Sequence, residues 1–177
     1  KLGDSLNLTY KSGEDRHGTV DINVIAKNNE TGATNELTSI GTTSISVKPV
    51  VSSEIMIKDA DKQNGIEDGQ MASVKLSVDK YDPSEKFESV LIKVESGVAV
   101  YYDNGTKLAM NLGGDSWLIP VSGDGKTLPE IFFKGKEHLA GNIGFKATIN
   151  AKDGEAKVTT KELTGSVTIT EVADGVT

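Results

Sequence analysis

Residues 98–110 read VAVYYDNGTKLAM, two alternating runs on either side of the dipeptide Asn104-Gly105. This is the strongest short-range signal for a β-hairpin, because a type I′ turn needs positive φ at both of its central residues. Asp153-Gly154 predicts a similar turn later in the chain. Alternating runs also occur as VDINV (20–24), SISV (44–47), SVKLSVD (73–79), VLIKV (90–94) and VTIT (167–170). Each predicts a half-buried strand, and no segment has the periodicity of a capped helix, so we expect an all-β, antiparallel sandwich.

Composition narrows the classes of partner. The 177 residues carry a net charge of −7 with an isoelectric point near 4.9, which argues against nucleic acid or an anionic membrane surface as partner. Cysteine is absent, so disulfides and thiolate metal sites are excluded. No apolar run approaches the roughly 20 residues that span a bilayer, and we expect no membrane insertion by this chain. We expect such an acidic chain to bind cations. We also expect it to be a monomer.

A repeat is present in the strand pattern. YKSGEDRHGTVDINVIAK (10–27) resembles FKGKEHLAGNIGFKATINAK (133–152), and an offset of 123 residues matches Gly18 with Gly141. With small gaps, ELT at 36–38 matches ELT at 162–164, and VKPVVSS (47–53) matches ITEVADG (169–175). The first fifty residues therefore correspond only to the C-terminal half of the longer segment 54–177.

This repeat predicts the domain organisation. Residues 1–50 are interpreted as the C-terminal half of a β-sandwich module, possibly a split one, residues 51–58 as a linker, and residues 59–177 as a complete Ig-like module. Three or four strands alone cannot close a sandwich, so the half-module must be completed by other strands or dock on a neighbour.

Seven motifs follow one another along the chain, namely Glu67-Asp68-Gly69, SVKLSVD, Asp82-Pro83-Ser84-Glu85, SGVAVYYDNGT, Trp117 with Pro120, HLAGNIGFKATI and Val172-Ala173-Asp174. Taken in this order, they resemble the repeats of giant RTX adhesins of Gram-negative bacteria. The resemblance implies Ig-like or cadherin-like, calcium-binding extender domains, some of them split by an inserted ligand-binding domain. It also implies a secreted protein of the bacterial cell surface that acts in cell adhesion and biofilm formation, with neighbouring modules of the same chain as partners. The calcium-binding GGxGxDxUx nonapeptide of that family is absent, since GGDSWLIPV (113–121) departs from it after two glycines.

The stretch DADKQNGIEDG (59–69) contains four carboxylates and two glycines. A hard cation such as Ca²⁺ prefers six to eight oxygen ligands, so carboxylates on loops at one end of a sandwich suit it. An EF-hand is excluded, because Asn64 falls on the required glycine and Gln70 on the bidentate position. The alternative is a set of solvated loop residues. The predicted calcium ligands, expected to converge at one end, are Asp59, Asp61, Glu67, Asp68, Asp82 and Glu85, with Asp174 at the exit to a following module.

Catalysis is not indicated by the sequence. His17 and His138 do not occupy equivalent repeat positions, and no nucleophile elbow, P-loop or zinc-protease motif is present, so we expect no enzyme. The alternative function is a module of the same kind of adhesin that binds sugar or peptide directly. Its face would consist of aromatic residues that otherwise fill the core, namely Tyr101, Tyr102, Trp117, Phe132 and Phe133.

Overall fold

The computed structural model describes residues 7–13, 16–28, 32, 37–160 and 162–172, without the side chains of residues 27, 28, 37, 38, 60 and 61. Within these ranges every regular element is a strand, which confirms the all-β class. None of the described residues belongs to a helix that could span a membrane. The strands are β1 (Gly18–Asn28), β2 (Leu37–Val47), β3 (Glu54–Gln63), β4 (Gly65–Ile66), β5 (Ala72–Lys80), β6 (Glu85–Val94), β7 (Val98–Tyr102), β8 (Lys107–Leu108), β9 (Met110–Gly113), β10 (Ser116–Pro120), β11 (Ile131–Gly135), β12 (Gly141–Asp153), β13 (Ala156–Thr159) and β14 (Leu163–Thr170).

The chain forms two units, residues 1–49 and residues 50–177. In the first unit β1 and β2 make an antiparallel ladder from Gly18 opposite Val47 to Asn28 opposite Leu37. The predicted linker 51–58 is partly strand, because residues 54–57 already pair with β5. The first strand of the second unit therefore begins inside the predicted linker, before the predicted start of the module at residue 59.

The second unit is a sandwich of two sheets. One sheet has the order β4-β14-β12-β6-β10-β9, with β13 added at β12, and the other has the order β3-β5-β11-β7-β8. Their inner faces bury the alternating residues of the long strands, and Val90, Ile92, Phe133 and Ile149 have no exposed surface. Val90 and Ile92 come from the run VLIKV, which the alternation assigned to a half-buried strand, since alternate residues of a strand point to opposite faces.

The first part of the second unit moves from one sheet to the other. β3 pairs antiparallel with β5, whereas β4, two residues long, pairs parallel with β14 in the opposite sheet. Gly65 permits this change of sheet, because a Cβ at this position would lie 2.5 Å from the backbone nitrogen of Ala72. Any side chain there would therefore displace the backbone of β5 or β4.

The turn at Asn104-Gly105 has the predicted type. Their φ angles are +55° and +76°, and the amide of Thr106 donates to the carbonyl of Asp103 at 3.1 Å, as in a type I′ turn. The hairpin is shorter than predicted, because β8 ends at Leu108 and the chain enters the other sheet as β9. The second predicted turn is displaced by one residue: Asp153 pairs with Ala156, so Gly154 and Glu155 form the turn.

The repeat is visible in the strand register. Gly18 pairs with Val47 and Gly141 with Ile169, and the two glycines have φ angles of +115° and +114°. The two ladders then match residue by residue as far as Val24 opposite Gly41 and Ala147 opposite Leu163. The predicted match of the two ELT segments is wrong by four residues, since Gly41 and not Leu37 takes the place of Leu163.

Candidate functional site

The acidic residues predicted to converge are distributed between both ends of β5. Asp68 lies before β5 and Asp82 after it, and a strand of nine residues is about 30 Å long at roughly 3.3 Å per residue. Convergence at one end is therefore wrong as a geometric expectation. The structure instead presents two separate carboxylate environments, one at each end of the module.

The first environment is the serine–carboxylate cluster, in which Glu85 is completely buried at the start of β6. The Glu85 carboxylate accepts hydrogen bonds from the backbone amides of Ser52 and Ser53 and, at 3.2 Å, from the Ser52 hydroxyl. All of these donors are neutral groups. A buried carboxylate loses its hydration, and neutral donors offset this cost less well than a cation does. The cluster consists of Ser52, Ser53, Asp82, Ser84, Glu85 and Asp153.

Two further carboxylates adjoin Glu85 in this cluster. Asp153, at the end of β12, is buried and lies opposite Glu85 in the ladder between β12 and β6. Asp82 accepts hydrogen bonds from the Ser52 hydroxyl and, through its other oxygen, from the amide and hydroxyl of Ser84. The Ser84 hydroxyl is 2.7 Å from Asp82 and 3.2 Å from Asp153, and it has one proton to donate. Three carboxylates thus share the protons of two serine hydroxyls.

Tyr81 reports the negative potential of the same region. Its hydroxyl donates to the backbone carbonyl of Glu85 at 2.8 Å. Burial raises the pKa of Tyr81, and the charges of Asp124, Glu85 and Asp82 raise this pKa further. The uncharged phenol is therefore favoured in the folded state. This contribution to stability is present below the ordinary tyrosine pKa and is lost as the pH rises through the raised pKa.

The second environment is the Glu67 site at the opposite end of β5. The Glu67 side chain is 8% exposed, its Oε1 has no hydrogen-bond partner among the described residues, and its Oε2 accepts from the amide of Val172 at 3.4 Å. The imidazole Nδ1 of His138 is 4.0 Å from Oε1, an ion pair only when the histidine is protonated. Buried carboxylate oxygens are normally hydrogen-bonded, so this oxygen is an unusual feature of the module.

The remaining predicted ligands lie elsewhere. Asp59 is almost fully exposed and binds the Lys62 ammonium at 2.8 Å, and this hydrogen bond and charge lower the pKa of Asp59. Asp59 and Asp61 belong to the part of β3 where the ladder to β5 is interrupted between Ile57 and Lys62. Asp68 is exposed with a φ of +55°. Asp174 lies outside the described residues.

The donor set of the serine–carboxylate cluster fits a hard cation, because all of its side-chain ligands are oxygens. The arrangement is not that of a preformed metal centre, however. In the described part of the chain no three acidic or histidine side chains are grouped so as to hold a metal ion. Instead, serine hydroxyls lie between the carboxylates, since the Ser52 hydroxyl contacts Asp82 and Glu85 and the Ser84 hydroxyl contacts Asp82 and Asp153.

Sequence reasoning missed Ser52, Ser53 and Asp153 as members of this cluster. Ser52 and Ser53 lie in the cluster because Glu54 pairs with Lys80. This pairing brings the residues before β3 and the residues after β5 to the same end of one antiparallel pair. Asp153 follows from the pairing of β12 with β6, which the sequence does not specify.

The aromatic residues divide between core and surface. Trp117 and Phe133 are buried, whereas Tyr101, Tyr102 and Phe132 are half-buried. Trp117 also lines a groove of about 380 Å³ together with Tyr101, Asn111, Asp115, Lys134 and Lys136. Its indole Nε1 is buried and has no hydrogen-bond partner among the described residues. The groove therefore has aromatic residues in its lining, but these are buried or half-buried and do not form an exposed aromatic face.

Comparison with known proteins does not assign this chain to a family. No protein-family profile matches the chain, and no curated protein matches it. Among solved structures, the chain is similar to a conjugative transposon lipoprotein from Bacteroides eggerthii, at 14% identity and a TM-score of 0.35. That likeness covers 64% of this chain and 93% of the other.

Proposed function

We propose that this chain is a structural part of a large secreted adhesin of the bacterial cell surface, an extender whose modules are made rigid by calcium. The observation that carries the proposal is Glu85, a completely buried carboxylate whose donors are the amides and hydroxyl of two serines just before the module's first strand. A cation at this point would tie the segment that enters the module to the sandwich itself.

The residues of this chain have defined parts in that role. Asp82, Glu85 and Asp153 would hold the ion, and it would supply the positive charge that the serine protons supply only in part. Ser52 and Ser53 position the preceding segment against β6. The Glu67 site does the equivalent at the other end, where the amide of Val172 fixes the departing segment. Stiff ends would project a distant ligand-binding domain away from the cell.

The first experiment is a thermal melt of the whole chain in about 10 mM calcium and in chelator. Extracellular calcium modules bind with dissociation constants of about 10⁻⁴ to 10⁻³ M. Mass action then stabilises the module by about 1.4–2.7 kcal/mol per site, which corresponds to a rise of several degrees in melting temperature. Equal melting curves in the two conditions would overturn the calcium mechanism.

Variants locate the site. Asp82→Asn with Asp153→Asn should abolish most of the calcium response, whereas Glu67→Gln tests the opposite end. The matched control is Asp59→Asn with Asp79→Asn, which removes two exposed charges that pair with lysines and should leave the response unchanged. A response lost only in Glu67→Gln would assign calcium to the Glu67 site.

Tyr81 provides a local readout that does not depend on melting. A cation next to Glu85 and Asp82 would cancel two of the charges that raise the pKa of Tyr81, so calcium should lower this pKa towards its ordinary value. The ultraviolet titration of the phenol, as the difference between the chain and its Tyr81→Phe variant in carbonate-free buffer, measures it. Magnesium at equal concentration controls for ionic strength.

The second candidate function is direct binding of sugar or peptide, and the groove beside Trp117 favours it. The groove is lined by two lysines and Asp115, and it adjoins an indole N–H that has no acceptor among the described residues. A glycan array and a peptide library, each read with the chain and with Lys134→Ala plus Lys136→Ala, would test this function. Binding that is lost in the variant and is independent of calcium would replace the extender as the primary role.

A further inference from the structure

Among the described residues, the first unit contains the same hairpin as the second but not the strands that cover it there. Five apolar residues of β1 and β2 share one face, because their cross-strand partners place them on alternate positions. In the second unit the matched residues are all buried, whereas in the first unit they are only half-buried. The matched pairs are Val20 with Ile143, Ile22 with Phe145, Val24 with Ala147, Ile45 with Val167 and Val47 with Ile169.

The cover of the second hairpin is known in detail. The ring of Phe145 packs on Phe133 of β11 with centroids 4.9 Å apart, and Gly165 lies under Phe145 and beside Ile57 of β3. β6 pairs along the edge of β12 that faces away from β14. To be covered in the same way, the first hairpin requires strands that correspond to β3, β6 and β11.

The repeat extends before the hairpin as well. At the same offset of 123 residues, Leu8 and Tyr10 match Ile131 and Phe133 of β11, which have no exposed surface. Leu8 is 60% and Tyr10 is 39% exposed, and neither lies in a strand. Residues 8–11 therefore have the inner-face residues of β11 without the neighbours that β5 and β7 give to β11.

We propose that residues 8–47 are the last three strands of a second β-sandwich, and that their apolar face binds a polypeptide segment with the strand pattern of residues 54–120. The occupant is specified by register: it must pair along the free edge of β1 as β6 pairs along β12, and it must cover Val20, Ile22 and Val24. A one-residue slip would turn these side chains to the wrong face. This inference goes beyond the calcium-dependent role, because the docking needs neither the ion nor adhesion.

The test supplies the occupant from the chain itself. Residues 50–130 are fused directly before Leu8, and the chain from Leu8 to Thr177 is kept entire, so that Leu8 takes the place of Ile131. Amide hydrogen exchange is followed in β1 and β2. We expect protection of these amides to rise about 100-fold over the ungrafted chain, in calcium and in chelator alike.

Two control grafts establish that register carries the effect. One has a single residue inserted in the middle of the grafted copy of β6, which shifts its pairing with β1 by one residue, and the other carries Val20→Asp with Ile45→Asp on the docking face. Neither should gain protection. Equal protection in the inserted control would mean that the segment covers the hairpin without specific pairing, and would overturn the proposal.

A second graft covers the case in which the side chains of the first hairpin do not pack against the grafted strands. Here the hairpin carries V20I, I22F, V24A, I45V and V47I, the inner-face residues of β12 and β14. Protection in either graft supports the proposal, and exchange as fast as in the ungrafted chain in both would overturn it. Sedimentation of the unmodified chain completes the test, because a dimer with protected β1 and β2 would show that a second copy is the occupant. A missing calcium response would affect only the proposed function.

Discussion

The hairpins β1–β2 and β12–β14 have the same ladder and different surroundings. Both begin at a glycine with φ near +115° and both place apolar residues at matching positions of one face. Among the described residues, strands lie on the outer edge and over that face in the second hairpin alone, and only there are the apolar residues buried. An alternating pattern thus specifies which side chains share a face, whereas the rest of the chain decides whether that face is covered.

The largest expected difference between the two is folding itself. Residues 50–177 alone should unfold in a single cooperative transition, because they contain both sheets and the buried core. Residues 1–49 alone should show no such transition, since a two-stranded hairpin is marginally stable at best. Circular dichroism during heating measures both fragments. A cooperative melt of residues 1–49 would contradict the interpretation of an incomplete module.

A matched pair of core substitutions sharpens the comparison. Phe145→Ala should destabilise the second unit by about 3–5 kcal/mol, because it leaves a cavity beside Phe133. Ile22→Ala, at the matched position of β1, should change the same unfolding free energy by less than about 0.5 kcal/mol, as for a substitution outside a packed core. Denaturant unfolding followed by the fluorescence of Trp117 measures both. A loss above about 1 kcal/mol for Ile22→Ala would mean that its face is already covered in this chain.

A smaller effect is expected at the glycines that begin the hairpins. Gly141→Ala should cost about 1–2 kcal/mol, because φ of +114° is strained for any residue with a Cβ. No atom lies within 4 Å of the added Cβ, so the cost is purely conformational. Gly18→Ala has the same φ and the same open space, yet should leave the main transition unchanged. Differential scanning calorimetry of the two variants compares them, and equal losses would show that the units unfold together.

Much of the fold could be predicted from local pattern. SVKLSVD became β5 and VLIKV part of β6, because alternation over five to seven residues leaves little choice of face. The turn at Asn104-Gly105 followed from backbone chemistry alone. The two-residue strand β4 could not be predicted in this way, since it depends on its contact with β14 rather than on a period.

The candidate site was predicted less well, for a physical reason. Which end of the sandwich a carboxylate occupies depends on the direction of each strand. Asp68 and Asp82 lie at opposite ends because the whole of β5 separates them. Glu85 was identified as a candidate from a motif, but its burial depends on Ser52 and Ser53, thirty residues earlier. Glu67 was identified too, whereas its contact with Val172, 105 residues later, needs the parallel pairing of β4 and β14.

The parallel pairing of β4 with β14 also determines how the second unit responds to tension. β4 lies near the beginning of the unit and β14 near its end, and the two strands run in the same direction. A pull that separates Ser53 from Val172 along the long axis would drag these strands past each other in opposite senses. The pairing of Gly65 and Ile66 with β14, and the hydrogen bond from the Glu67 amide to the Thr170 carbonyl, would then be loaded together in shear, not opened one after another from an edge. β4, although only two residues long, therefore lies where the stretching load is shared.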